Sequence, residues 1–165
     1  MAVSTVVKTR RDGTLTIKDG AGSPLELVVA YEQGDLSFSI PGPTVSVFLD
    51  RGRFGTTPSL RYGDDQAVTG TFTAYLRHPS DATDEVLSDL LCQTGKIASW
   101  ASTLGTNAEV RAFTLEFFIE GTDHGDSADY TYTFSHCAFS GSISEGDPST
   151  ISVSFTSHAL YPGLS

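Results

Sequence analysis

Apolar and polar residues alternate with a period of two along most of this chain, the spacing of β-strands that bury one face. Leu15 and Ile17 alternate with Thr14, Thr16 and Lys18. Leu25, Leu27, Val29 and Tyr31 share one face, and Leu36, Phe38 and Ile40 share another across Ser37 and Ser39. Gly34-Asp35 between these two runs reads as a tight hairpin turn. Val45, Val47 and Leu49 form the next strand after Pro41-Gly42-Pro43. Val68, Phe72 and Leu76 line a face across Thr69, Thr71, Thr73 and Tyr75. Gly70 within that run predicts a bulge or a close backbone approach. Phe113, Leu115, Phe117 and Ile119 line a long strand, Tyr130, Tyr132 and Phe134 another, and Ile151, Val153 and Phe155 the last. After Phe134 the phase slips to Cys137 and Phe139, so a bulge or corner is expected near His136. Eight or more strands with polar turns predict a mainly β fold, an antiparallel β-sandwich or barrel. A length of 165 residues suits a single domain over 1–165.

One segment breaks this rhythm. Val86, Leu87, Leu90 and Leu91 recur at helical spacing, with Asp81 or Thr83 as N-cap, Asp84 and Glu85 in the first turn and Gly95 as the stop. The pattern predicts one short flanking α-helix of about ten residues, whose apolar stripe covers an open edge or end of the sheet. Trp100 follows it and reads as a core residue. Residues 50–66 make a long loop that can continue partly as a hairpin. Loops of that length in compact domains are usually functional. This one gathers arginine and aromatic side chains, the types enriched at protein interfaces. Asp50, Arg51, Arg53, Phe54, Arg61 and Tyr62 are therefore candidates for a subunit or ring interface.

Charge is divided unevenly. Residues 1–80 carry eight basic and eight acidic side chains, whereas residues 81–165 carry twelve acidic ones against Lys96 and Arg111. The aromatic content of the acidic half excludes a disordered acidic tail. A folded surface of one sign repels phosphate backbones, so this chain either avoids nucleic acid or touches it without adhering. The longest apolar runs, 25–31 and 113–119, are interrupted and too short to span a membrane. Met1-Ala2-Val3-Ser4 leads into Lys8, Arg10 and Arg11 without an apolar core, so cytoplasmic synthesis is expected. Cys92 and Cys137 then read as two buried free thiols.

Patterns of catalysis are weak. No GxSxG elbow or phosphate-loop lysine occurs, and Gly20-Ala21-Gly22-Ser23-Pro24 reads as a turn. His78, His124, His136 and His158 have no partner at ligand spacing. Asp123-His124-Gly125-Asp126 with Asp129 resembles a calcium loop in composition but has Ala128 and Phe134 where such a loop needs glycine and an acid. Asp and Gly gather in hairpin turns for conformational reasons alone. No enzyme, cofactor or metal site is expected.

The order of parts resembles the major tail tube proteins of long, flexible-tailed bacteriophages. The likeness rests on Asp50-Arg51-Gly52 opening a long loop and on Thr69-Gly70-Thr71-Phe72-Thr73 running into the lone helix. It is completed by Cys137-Ala138-Phe139 followed by Glu145-Gly146-Asp147-Pro148 and the strand over 150–156. These features span roughly residues 45–156. The resemblance implies a tail-tube-like β-sandwich whose six copies join sheet edges into a ring with an inner barrel, rings stacking into a tube for DNA ejection. It implies self-association, tail terminator, tape-measure and baseplate partners, and a virion location after assembly in the host cytoplasm. DNA would be a non-adhering cargo, with no membrane contact. Acidic residues of the second half then become candidates for facing the lumen: Glu109, Glu116, Glu120, Asp123, Asp126, Asp129, Glu145 and Asp147. Two alternatives stand beside this reading. One is a related ring protein, such as a tail terminator, a baseplate hub part or a contractile-injection tube. The other is a monomeric carbohydrate-binding sandwich with Tyr130 and Tyr132 as a solvent-facing aromatic row.

Overall fold

The structure is a computed structural model that describes residues 7–8, 13–31, 35–48 and 59–165. In chain order the elements are β1 (Gly13–Lys18), β2 (Glu26–Val29), β3 (Ser37–Ser39), β4 (Val45–Phe48), β5 (Ser59–Tyr62) and β6 (Val68–Tyr75). Then come α1 (Leu87–Cys92), β7 (Phe113–Ile119), β8 (Tyr130–Ser144), β9 (Thr150–Ser157) and β10 (Gly163–Leu164). The main sheet runs β2-β1-β7-β8-β9-β6-β3, with β10 added on β8. Its pairings are antiparallel. Just past β2, Tyr31 forms a bridge with Ala74 of β6, so the sheet curls until its two ends meet at that point. The inner face is the core expected from the alternation: Leu15 and Ile17, Leu27 and Val29, Phe72, Leu115, Phe134, Val153 and Phe155 are all buried.

Gly34 lies outside the described residues, but β2 and β3 do not pair as a hairpin there would require: Tyr31 bridges Ala74 and β3 pairs with residues 69–71, so both segments meet β6. Two further contacts hold the second segment in place. The Asp35 carboxylate accepts a 2.9 Å hydrogen bond from the Thr73 amide, tying this stretch to β6. Phe38 packs on Phe134 and Tyr132 of β8, with ring centroids 5.1 and 5.6 Å apart. The slip near His136 is a bulge. Phe113 pairs with Cys137 but Leu115 with Phe134, and His136 takes a left-handed φ of 53°. Its Nδ1 lies 3.1 Å from the Thr103 hydroxyl, which ties the bulge to the loop before β7. At Gly70 the ladder is unbroken and the reason for glycine is close approach, here by Phe155 and the Ser37 carbonyl.

The helix is shorter than its apolar spacing suggests, six residues against about ten. Asp81 does not cap it. The Asp81 carboxylate instead accepts from the Thr83 and Asp84 amides and builds a turn ahead of the helix, whose N-cap is Val86. Gln93, not Gly95, takes the left-handed position that ends it. The buried Asp89 carboxylate then knots this region, accepting from the Thr94 hydroxyl at 2.6 Å and the Asp81 amide at 3.0 Å. α1 packs against the inner face of β8, where Leu91 meets Gly141, whose partner Val153 is buried, beside an open stretch of that strand's edge. Among the described residues no strand pairs with β8 beyond Cys137 on its β7 side. Leu90, Ile97 and Trp100 join the core, with Trp100 edge-on to Phe113 at 5.4 Å. The expectation of two buried thiols needs correcting. Cys137 is buried and Cys92, in the last turn of α1, is exposed.

Candidate assembly surface

β4 and β5 form a second, two-stranded sheet that pairs with no other strand among the described residues. Its register sets Val45 opposite Tyr62 and Val47 opposite Leu60, so these four side chains share one face. Ser46, Arg61, Phe48 and Ser59 share the other. The base is tied by the Thr44 amide to the Asp64 carbonyl at 2.9 Å and by the Gly63 amide to the Thr44 carbonyl at 2.8 Å. An isolated two-stranded hairpin is marginal in water. This one also leaves Val45 and Val47 56% exposed, Leu60 64% and Tyr62 81%. Clustered exposed apolar faces are a common feature of interaction surfaces.

Ser59–Tyr62 is thus strand, in keeping with a connection that continues partly as a hairpin, and residues 63–66 form no strand or helix. Of the interface candidates, Asp50, Arg51, Arg53 and Phe54 lie outside the described residues. Arg61 and Tyr62 lie on the hairpin but on opposite faces. Val45, Val47 and Leu60 were read from the sequence as ordinary strand residues or passed over. Alternation shows that a strand has an apolar face but not whether that face meets its own core or another molecule.

The acidic candidates do not converge on one surface of the protomer. Glu120, Asp123, Asp126 and Asp129 belong to the connection between β7 and β8, whereas Glu145 and Asp147 belong to the β8–β9 turn. The fifteen-residue β8 separates the two groups by roughly 45 Å of strand. Glu109 sits in the loop before β7 and is exposed. Several of these carboxylates already have partners. Glu116 binds the Lys18 ammonium at 2.9 Å, and Glu26 binds the same group at 3.0 Å. The hydrogen bond to Glu116, followed by that to Glu26, raises the Lys18 pKa. Asp126 pairs with Lys8 at 2.8 Å, and its pKa is lowered first by that bond and then by the Ser127 amide. Asp129 accepts from the Thr122 and Gly121 amides, which lower its pKa in that order. The Asp-rich turn thus uses these carboxylates to hold its own backbone and a nearby lysine.

A different surface is more uniform. The outer face of β3-β6-β9-β8 presents Ser37 and Ser39, then Thr69, Thr71 and Thr73, then Ser152, Ser154 and Thr156, then Ser140, Ser142 and Ser144. Register places them in rows such as Ser37-Thr71-Ser154-Ser140. No charged side chain interrupts these rows. The aromatic row needed for a sugar-binding platform does not form, because Tyr132 is half-buried against Phe38 with the rings 54° apart.

No family model matches this chain, and no curated protein sequence does. Its fold is similar to a chain in the cryo-EM structure of an extracellular contractile injection system, the PVC sheath/tube terminator in its extended state. The TM-score is 0.54 at 13% identity, over 99% of each chain. At that identity the likeness is one of fold.

Proposed function

We propose that this chain is a structural ring subunit of a tail or injection tube, standing at its terminating end, and that it carries out no chemistry. The observation behind this reading is the end-to-end likeness of fold to a sheath/tube terminator. The exposed apolar hairpin supports it, since repeated copies of one chain need a surface that is unsatisfied in the monomer. In this reading the partners are further copies of the chain, in a hexameric ring, with tube, tape-measure and baseplate proteins beyond. The particle is a virion or a related extracellular assembly put together in the host cytoplasm.

DNA or another cargo passes the channel without adhering. The hydroxyl face of β3-β6-β9-β8 suits the channel wall, having no cations to hold phosphate and only Ala138 and Tyr75 in its rows that are not Ser or Thr. The acidic groups at the two ends of β8 add repulsion of phosphate. The stacking tube subunit of a long, flexible-tailed phage is the second reading. It is favoured by the acidic balance of residues 81–165, which suits a long conduit for DNA.

Mass photometry with negative-stain electron microscopy of the purified protein tests both. Single closed rings with a central hole are the expected result. Stacked tubes would favour the second reading over the first. Monomers at every concentration and in every salt would overturn the two together.

A further inference from the structure

The point where the sheet curls back on itself leaves a cleft. β2 pairs with β1 on one edge, and its other edge meets β6 only through the Tyr31–Ala74 bridge. Beside that bridge opens a space of about 260 Å³ with Leu27, Val29, Ala74, Leu87 and Ile151 in its walls. Asp84 and Glu85 stand on the α1 side of its rim, and Arg77 and His78 on the β6 side. Glu85 is held by Lys96 at 3.5 Å. The exposed Asp84 side chain forms no ion pair among the described residues.

The hairpin has the complementary features. Among the described residues nothing covers its apolar face, and its charge is opposite to that of the chain as a whole. Its described strands, Val45–Phe48 and Ser59–Tyr62, carry one charge, that of Arg61, in a chain of net charge −10. Arg61 sits on β5, whose outer edge pairs with no strand among the described residues, so its long stem can carry the guanidinium past that edge.

Resting on the self-association proposed above, we infer that the β4–β5 hairpin of one copy docks over the β2–β6 cleft of a second copy. Leu60 and Tyr62 cover the apolar mouth, and Arg61 reaches Asp84. Hairpin and cleft are different patches, so in the ring proposed above the contact is head-to-tail, each copy giving its hairpin to one neighbour and receiving a hairpin from the other. The cleft accepts one or two side chains rather than a whole strand, so the rest of the hairpin must lie across its rim to reach the roughly 1,000 Å² of a specific interface.

Cross-linking tests this in a Cys92→Ser background. Protein carrying Tyr62→Cys is mixed with protein carrying Asp84→Cys and oxidised. A disulfide-linked heterodimer is expected from the mixture, and neither protein alone should give it. The distance control replaces Asp84→Cys with Thr71→Cys on the hydroxyl face. If rings form but the first mixture yields no more product than the control, the docking is wrong and the ring reading survives. If no association occurs at all, both fall. A charge exchange supplies the second measurement on variants verified as folded by circular dichroism. Arg61→Glu should weaken association at least tenfold, and adding Asp84→Arg should recover most of it. A double variant no better than Arg61→Glu alone overturns the pairing.

Discussion

Gly70 and Phe155 are cross-strand partners in the β6–β9 ladder, and the phenyl ring occupies the space where a side chain at position 70 would begin. A β-carbon there would stand 2.5 Å from two ring carbons and 2.6 Å from the Ser37 carbonyl oxygen. Phe155 cannot retreat freely, because it is buried and packed on Phe134 at 5.3 Å and on Phe139 at 6.4 Å. Gly70→Ala is therefore expected to destabilise the fold by about 1–3 kcal/mol, the usual cost of overpacking. Gly22→Ala, where a β-carbon meets nothing within 4 Å, should stay within about 0.5 kcal/mol of the parent. Urea denaturation of both variants checks this. Equal midpoints would show that β6 and β9 are not packed as described.

Asp89 gives acid sensitivity to the helix region. Burial pushes its carboxyl pKa up, but hydrogen bonds from Thr94, Asp81 and Ser80 outweigh burial and leave it below the ordinary value. A carboxylate with a depressed folded-state pKa contributes stability that is fully present above its unfolded value. That contribution is lost as pH falls through the folded value. Stability should therefore decline below about pH 4. Asp89→Asn should lower stability at pH 7 by about 1–3 kcal/mol, because its amide group meets donors where the carboxylate met them. Its denaturation midpoint should also depend less on pH between 2 and 5. Identical pH profiles for parent and variant would remove Asp89 from this role.

The two cysteines should differ in reactivity. Burial pushes the Cys137 thiol up to about 12, and its Sγ–H donates to the Phe134 carbonyl at 3.2 Å. The thiolate is the reactive form, so Cys137 is inert at neutral pH while exposed Cys92 is not. Titration of the folded, dissociated protein with a chromogenic disulfide should find one thiol, and titration in denaturant should find two. Two fast thiols in the folded state would contradict the burial of Cys137.

The inner face of the sheet was legible in the sequence because burial and alternation are the same signal there. Leu15, Phe72, Leu115 and Phe155 all fall where the period of two sets them. The His136 bulge was legible for the same reason, since a phase slip has to be absorbed somewhere. Strand order was not legible. Gly34-Asp35 has the composition of a hairpin turn, yet Tyr31 bridges Ala74 and β3 pairs with residues 69–71, so the two flanking segments follow one another along β6 instead of pairing with each other. Those are long-range contacts with no local trace. The hydroxyl face was overlooked because Ser and Thr on a strand read as its ordinary solvent side, and only the register aligns four such strands. Exposure of Cys92 depended on where α1 ends, which was set by Gln93 rather than by the glycine two residues later.

The hydroxyl face makes a direct prediction about cargo. A wall without cations should let a duplex pass, and cations on that wall should hold it. Ser154→Lys together with Ser140→Lys places two ammonium groups in one row across β9 and β8. Rings of this variant are expected to retain a short DNA duplex at low salt and to shield it from nuclease, whereas parent rings should do neither. Retained but unshielded DNA would put this face on the outside of the ring.

The hairpin should matter for association and little for folding. Val47 and Leu60 face each other across β4 and β5 and are both more than half exposed in the monomer, so truncating them removes little buried surface. Val47→Ser with Leu60→Ser should leave thermal stability of the dissociated protein nearly unchanged, within about 0.5 kcal/mol per site. In the assembly the same side chains are expected to be covered, and burying an aliphatic side chain contributes about 1.5–3 kcal/mol. Losing two should weaken association by about 3 kcal/mol or more, a hundredfold or greater rise in Kd. Thermal denaturation and mass photometry on the same preparation separate the two effects. A fall in Tm matched by no change in association would mean that the apolar face serves the protomer's own fold.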